Sequence, residues 1–322
     1  MKRFVFVLML LGGSAMAEQA LPGGTAHDWY ERMVQASRQQ NYEGVLLYGN
    51  QRHWDSLAIQ HLIVNNEEFE HLQQLSGVPL EQLRHGNKIA SMVAAGKQPQ
   101  RLQNPLHSFL PGHDLRQQYD LTLGDIDRIA GHYARQIILQ PKDNYRYGMR
   151  LWLEQNSALL LRSDLLDERQ RVLERIQFAQ VTIGQPADTD AFSADLPWQS
   201  LPAPQGYEQA LVSWRPFWLP DGFTLLAAAE HDDTIRLLYA DGLAAFSVFI
   251  DAQTDLFSSL DRRWGATSAV VRLVQNDQAG ARRVTAVGEL PAATLEKIIQ
   301  SVRPAQAATE RPVTEDAEQE QP

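Results

Sequence analysis

The chain has 322 residues, enough for two domains of ordinary size. Apolar residues make up 44% and charged residues 21%, which excludes a fully disordered or collagen-like chain. The formal net charge of −10 argues against a global attraction to nucleic acid, and none is expected as a partner.

At the N-terminus Lys2 and Arg3 precede an apolar run, Phe4 to Leu11, and small residues then lead to Ala15-Met16-Ala17. This is the pattern of a secretory signal peptide over residues 1–17, and the apolar run is too short to span a membrane. The mature chain is predicted to begin at Glu18, where no cysteine is present to take a lipid. There are no cysteines anywhere, so disulfides, thiolate metal sites and thiol catalysis are excluded. An exported chain that needs no disulfides points to a bacterial periplasm.

Thr25 is a suitable N-cap for a first helix, in which Trp29, Met33, Val34 and Ala36 fall near one face as far as Gln40. The period then changes to two. Glu43 to Gly49, Ser56 to Val64, Glu67 to Leu75 and Asn87 to Val93 read as strands. Gln98 to Asp120 is rich in Pro, Gly, Asn and His and reads as a loop with short helical pieces. A second block of strands follows: His132 to Gln140, Tyr145 to Glu154, Ala158 to Leu166 and Val172 to Ile183. Their connectors are of hairpin length, which predicts an antiparallel meander.

Pro186, Pro197, Pro202 and Pro204 mark an interdomain linker, placed at residues 187–213. Domains are therefore expected over 18–186 and 214–304. The second should hold strands at Phe223 to Glu230, Thr234 to Tyr239, Ala244 to Ile250, Ala269 to Val274 and Arg282 to Val287. A closing helix starts near Pro291 and presents Leu295, Ile298, Ile299 and Val302 on one face. Residues 305–322 carry five acids and one base and are expected to be a disordered tail.

Tyr145, Tyr147, Met149, Leu151 and Leu153 share one face of their strand, so the first sheet has one strongly apolar side. That side is either an ordinary filled core or a binding cavity for an acyl chain or apolar peptide. In the second case Leu46, Tyr48, Tyr147, Met149, Leu151, Leu159, Leu161 and Phe178 would line it. Arg146, Arg150 and Arg162 would then meet phosphate or carboxylate groups at its rim, unless they simply form a solvated face.

The sequence offers no G-x-S-x-G elbow, H-E-x-x-H, phosphate-binding loop or G-x-G-x-x-G, and no catalytic residue is assigned. The histidines are scattered, and His53, His61 and His71 lie in strand-like segments without close partners. No metal and no cofactor are expected. Asp125/Asp127 and Asp164/Asp167 are read as turn residues.

Several segments together resemble one family. They are Asn41 to Tyr48, Tyr145 to Glu154, Leu161 to Asp167, Trp218-Leu219-Pro220-Asp221-Gly222-Phe223, Tyr239 to Phe249, and Val287-Gly288-Glu289-Leu290-Pro291. In order and spacing they are similar to MucB/RseB, periplasmic regulators of extracytoplasmic-stress sigma factors. Two positions depart from the family pattern. Gly77-Val78-Pro79-Leu80-Glu81 lacks an arginine, and Asp167-Glu168 stands where Asp-Gly is usual.

The resemblance implies an α+β chain, an N-terminal LolA/LolB-like antiparallel half-barrel with a helical lid, and a smaller C-terminal α/β domain. It implies binding to the periplasmic domain of a single-span anti-sigma factor, shielding it from proteolysis, with lipopolysaccharide or another acyl lipid as the releasing ligand. Trp218, Tyr239, Phe246 and Phe249 are the candidate partner-binding residues, and Trp214 and Trp218 either pack between the domains or anchor the second core. A lipid or lipoprotein carrier is the competing expectation, although the simple carriers lack a second domain. The sequence leaves a homo-oligomer open.

Overall fold

The computed structural model describes residues 23–50, 52–93, 102, 104–109, 114–184, 192, 198–200, 212–252, 259–276 and 280–305. The expected signal peptide, most of the linker and nearly all of the acidic tail lie outside these residues. Among the described residues there are two α-helices and nineteen strands, so the fold is mostly β.

Helix α1 (Ala26–Gln39) starts in a capping box. The Thr25 hydroxyl accepts from the Asp28 N–H at 3.2 Å, and the Asp28 carboxylate accepts from the Thr25 N–H at 2.7 Å. Its Trp29, Tyr30, Met33 and Val34 are buried. They face a large sheet assembled from two meanders. The first contains β1 (Tyr42–Gly49), β2 (Trp54–Val64), β3 (Glu67–Gln74), β4 (Leu80–His85) and β5 (Lys88–Val93). The second contains β6 (Tyr119–Ile129), β7 (His132–Pro141), β8 (Gly148–Glu154), β9 (Leu160–Leu166) and β10 (Val172–Ile183). Antiparallel pairing of β1 with β10 joins them, and the short β11 (Gln199–Ser200) adds to β5.

The sheet runs from β11 to β6 without closing. One continuous buried cluster nevertheless joins Leu72 of β3, Leu46 of β1, Phe178 of β10, Leu151 of β8 and Ile129 of β6 with α1. The sheet therefore wraps around the helix as a half-barrel. Register breaks at Val45/Leu46 and at Leu123/Ile126 supply local bends.

Three of these strands escape the sequence reading, among them the two-residue β11, which falls in the expected linker. β6 lies at the sheet edge and is exposed along most of its length, so its apolar residues do not alternate cleanly. Asp125 and Asp127, read as turn residues, stand within it. β4 is short and carries Glu81, Gln82 and Arg84 in place of a regular apolar face.

The smaller domain opens with β12 (Trp214–Pro216), which pairs with the last strand, β19 (Val302–Pro304). Between them lies a six-stranded antiparallel sheet of β13 (Thr224–His231), β14 (Thr234–Ala240), β15 (Ala245–Asp251), β16 (Leu260–Trp264), β17 (Thr267–Asn276) and β18 (Gly280–Gly288). Helix α2 (Ala292–Gln300) follows Pro291 and buries Leu295, Ile298 and Ile299 in one cluster with Val248, Val270 and Val284. β16 went unread because all five of its residues are exposed, which removes the apolar signal.

Candidate functional site: the interdomain seam

The two domains meet where the segment before β8 touches the turn that precedes β13 and the turn that follows β14. Asp143 first fixes that segment, its carboxylate accepting from the Tyr145 N–H at 2.9 Å and from the Arg146 Nε. Arg146 is thereby aimed across the seam. Its Nη1 donates to Asp241 Oδ2 at 2.5 Å and its Nη2 to the Asp221 carbonyl at 2.6 Å. The guanidinium lies over Tyr119 of the large domain and Phe223 of the small one, at 5.7 and 5.2 Å from their ring centroids.

The side chains of Arg146 and Asp241 are both fully buried. A buried charge is tolerated only when its partners complete its hydrogen bonds, and these partners come from both domains. Asp241 serves a second purpose. Its Oδ1 accepts from the N–H groups of Leu243 and Ala244, which shapes the tight turn between β14 and β15 around Gly242, at φ +100°. The turn that carries the carboxylate is thus also the turn that presents Leu243 to the large core.

Two further contacts flank this lock. On one side Lys297 of α2 donates to the Tyr145 hydroxyl at 2.9 Å and sits 3.9 Å above the Trp218 ring. Trp218 meets Tyr145 edge to face at 5.0 Å. On the other side the Ala266 N–H donates to Glu174 Oε1 at 2.8 Å, and Ala266 packs with Tyr147, Leu165 and Leu173. Gly265 stands beside it at φ +59°, where a Cβ would overlap the Glu174 carboxylate.

Between these contacts lies an internal cavity of about 90 Å³. The half-barrel contributes Tyr119, Tyr147, Met149, Leu165, Glu174 and Ile176, and the small domain contributes Leu243, Ala244 and Glu289. The small domain therefore plugs the mouth of the half-barrel. Glu289 keeps part of its surface in solvent, yet desolvation at the cavity wall, and then the nearby Glu174 carboxylate, push its carboxyl above the ordinary glutamate value. Burial likewise raises the hydroxyl of Tyr119 well above the usual tyrosine range.

The structure distributes the sequence candidates among three places. Leu46, Leu151, Leu159, Leu161 and Phe178 lie in the filled core under α1, with Tyr48 packed against it. Tyr147 and Met149 line the cavity. Trp218 belongs to the seam, whereas Trp214 is part of the small domain's core.

Tyr239 and Phe246, expected to offer apolar strand surface to a partner, stack on each other at 5.2 Å and are only 5% and 1% exposed. They are core residues because they point from the sheet toward α2 and Phe223. Phe249 is half-buried on β15.

Arg146, read either as a rim residue or as part of a solvated face, is instead fully buried at the centre of the lock. Arg162 lies over Trp152 and pairs with Asp164, and Arg150 donates to Gln170. His61, read as lacking close partners, has Glu68 and His107 beside it. Glu174, Asp241 and Lys297 went unread as functional residues. The only local signal for Asp241 was an Asp-Gly turn, which occurs in many proteins for backbone reasons alone.

The fold and the seam define a two-domain, mostly β protein whose domains are joined by a buried arginine–aspartate pair. The chain belongs to the MucB/RseB family. The model for the MucB/RseB N-terminal domain matches residues 25–196, and that for the MucB/RseB C-terminal domain matches residues 194–303. The chain is 33% identical to the sigma factor AlgU regulatory protein MucB of Pseudomonas aeruginosa, over 94% of this chain and 98% of MucB. It is 29% identical to the sigma-E factor regulatory protein RseB of Escherichia coli K12, with the same coverage.

Among solved structures, MucB in the MucA/MucB complex of Pseudomonas aeruginosa is similar at a TM-score of 0.74 and 32% identity. That match covers 88% of this chain and 99% of MucB. A crystal structure of MucB matches at a TM-score of 0.63 and 32% identity, covering 87% of this chain and 98% of MucB.

Proposed function

We propose that this protein regulates an extracytoplasmic sigma factor by holding the periplasmic region of a MucA-type anti-sigma factor, and that the interdomain seam sets its binding competence. The observation that carries this reading is the Arg146–Asp241 lock, which fixes one domain arrangement through partners supplied by both domains. The relative MucB forms a complex with MucA(peri). This chain fits the structures of that complex, at TM-scores of 0.74 and 0.73, better than it fits MucB at 0.63.

The proposed location is the periplasm, in keeping with the signal-peptide pattern. No helix among the described residues is long and apolar enough to cross a membrane.

Release by lipid is part of the same proposal, and the small size of the cavity supports it. Ligand pockets generally have about 300 Å³ or more, far above the 90 Å³ cavity at the half-barrel mouth. An acyl chain therefore enters only if the plug moves, which breaks the lock. Each buried CH₂ contributes about 0.8 kcal/mol, so a chain of ordinary length supplies enough to offset the lost seam contacts.

The test is capture of the same genome's anti-sigma periplasmic segment by residues 18–322, with and without lipopolysaccharide. Capture that the lipid reverses supports both parts. Capture insensitive to lipid removes the release mechanism, and no capture removes the regulator reading.

A further inference from the structure

Away from the seam, two imidazoles and two carboxylates converge at the C-terminal end of α1. His61 of β2 is fully buried, with Nδ1 2.8 Å from the Gln40 carbonyl oxygen and Nε2 3.1 Å from Glu68 Oε1. His107, in the segment that returns over the half-barrel interior, has Nε2 2.9 Å from the Ser37 carbonyl oxygen and Nδ1 3.6 Å from Glu70 Oε2. A carbonyl oxygen only accepts, so Nδ1 of His61 and Nε2 of His107 carry the hydrogens. A neutral imidazole has one N–H. In each ring the remaining nitrogen therefore faces a carboxylate oxygen, and two acceptors so placed need either a proton or a metal ion between them.

We propose that His61, Glu68 and His107, with Glu70 as a further oxygen donor, form a binding site for a divalent transition metal of the zinc class. Four observations carry this assignment. First, ligand atoms of His61, Glu68 and His107 lie within 4.8 Å of one another. The 3.1 Å between His61 Nε2 and Glu68 Oε1 is close to the roughly 3.3 Å edge of a tetrahedron with zinc-length bonds.

Second, each ring turns one N–H to a backbone carbonyl, the arrangement that orients metal-bound histidines; this leaves Nε2 of His61 and Nδ1 of His107 as the ligand atoms, the latter 3.6 Å from Glu70 Oε2. Third, both carboxylates are held from behind. Arg84 donates to both oxygens of Glu68, at 2.6 and 3.1 Å, and Asn104 donates to Glu70 Oε2 at 2.7 Å. Fourth, the two carbonyls come from the C-terminal end of α1, where the helix dipole favours positive charge. Two carboxylates and two imidazoles match a borderline metal better than calcium or magnesium, which take oxygen ligands.

Arg84 pairs with both carboxylates, Glu68 at 2.6 Å and Glu70 at 3.4 Å, which weakens the site relative to a structural zinc centre. The ion would tie β2 and β3 to the 104–109 segment. Phe109, two residues beyond His107, lines the seam cavity, so occupancy at this site would restrain one wall of the half-barrel mouth.

The experiment is calorimetric titration of chelator-treated residues 18–322 with zinc chloride, repeated with cobalt(II) to read its tetrahedral absorption bands. One ion per chain is expected, with a rise in the thermal midpoint. His107→Ala and Glu68→Gln should each weaken binding roughly tenfold or more, while His53→Ala and His85→Ala, at the surface pairs with Asp55 and Glu67, leave it unchanged. Circular dichroism of each variant confirms that it is folded, and Glu68→Gln, at a partly exposed carboxylate, stands in if His107→Ala is not. Absence of saturable binding in the parent chain overturns the proposal and leaves two protonated histidines paired with carboxylates. Full binding in both folded variants overturns it as well.

Discussion

Phe178 and Arg146 are both buried, yet they hold the molecule in different ways. Phe178 sits among apolar side chains from several strands and α1, and its neighbours ask only that the volume be filled. Arg146 is held by Asp143, Asp241, the Asp221 carbonyl and two ring faces, each of which works only in one direction and at one distance. Apolar contacts are non-directional, so the half-barrel interior sets how stable the fold is. Charged hydrogen bonds are directional, so the seam sets which arrangement of the two domains is populated. On the proposed function, in which the partner is released, the switch belongs in the second kind of contact.

Substitution in the interior should give the largest loss of stability and the smallest change of shape. Phe178→Ala should cost about 3–5 kcal/mol in denaturant unfolding, with the scattering profile of the remaining folded protein unchanged. A changed profile would mean that the interior also sets domain orientation. Asp241→Ala leaves Arg146 buried without its main partner, at a cost of roughly 2–5 kcal/mol. Here the expected loss falls on the seam. The radius of gyration should rise, capture of the anti-sigma segment should weaken, and the core of the half-barrel should keep its hydrogen-exchange protection. Replacing both partners together, as in Arg146→Met with Asp241→Leu, should recover much of that stability without recovering partner capture.

A smaller effect is expected from Lys297→Met. Lys297 is exposed, and its contact with the Trp218 ring is of the kind that contributes about 0.5–1 kcal/mol. Trp218 fluorescence should report the change, while global unfolding shifts little. A loss as large as that of Asp241→Ala would place the lock on the Lys297 side of the seam.

The two regions also differed in how far the sequence disclosed them. Tyr42–Gly49 and Trp54–Val64 were legible because burial on one face produces alternation, and α1 was legible from Thr25 and the spacing of Trp29 and Met33. The edge strands β6 and β16 were hidden because exposure removes the alternation on which that reading depends. The seam was hidden for another reason. Arg146 and Asp241 are 95 residues apart, and nothing local distinguishes a solvated arginine from one that crosses a domain boundary. The resemblance to MucB/RseB marked both segments as characteristic without disclosing that they touch. His61, Glu68 and His107 were separated in the same way, by strand pairing and by the irregular segment after β5.

Glu289 provides the finest test of the contrast, because it is a charge at the seam that opposes closure. Its carboxyl lies above the ordinary value of 4.5, through desolvation first and the Glu174 carboxylate second. A folded-state value raised in this way means that the closed form binds the proton more tightly than the open or unfolded form. Its contribution to stability is therefore fully present below the ordinary value and is lost as pH rises through the raised one. Glu289→Gln should raise the thermal midpoint slightly at neutral pH, and its advantage over the parent protein should vanish well below the ordinary value, where the carboxyl is protonated in both the folded and unfolded forms. Glu68 has the opposite sign, since its bonds to His61 and Arg84 outweigh its desolvation and hold it far below the carboxylate range. Its contribution is present above the ordinary value and is lost only in strong acid, so Glu68→Gln should be destabilising at neutral pH. Opposite signs at these two glutamates would separate a contact built to open from one built to hold, and equal signs would remove that distinction.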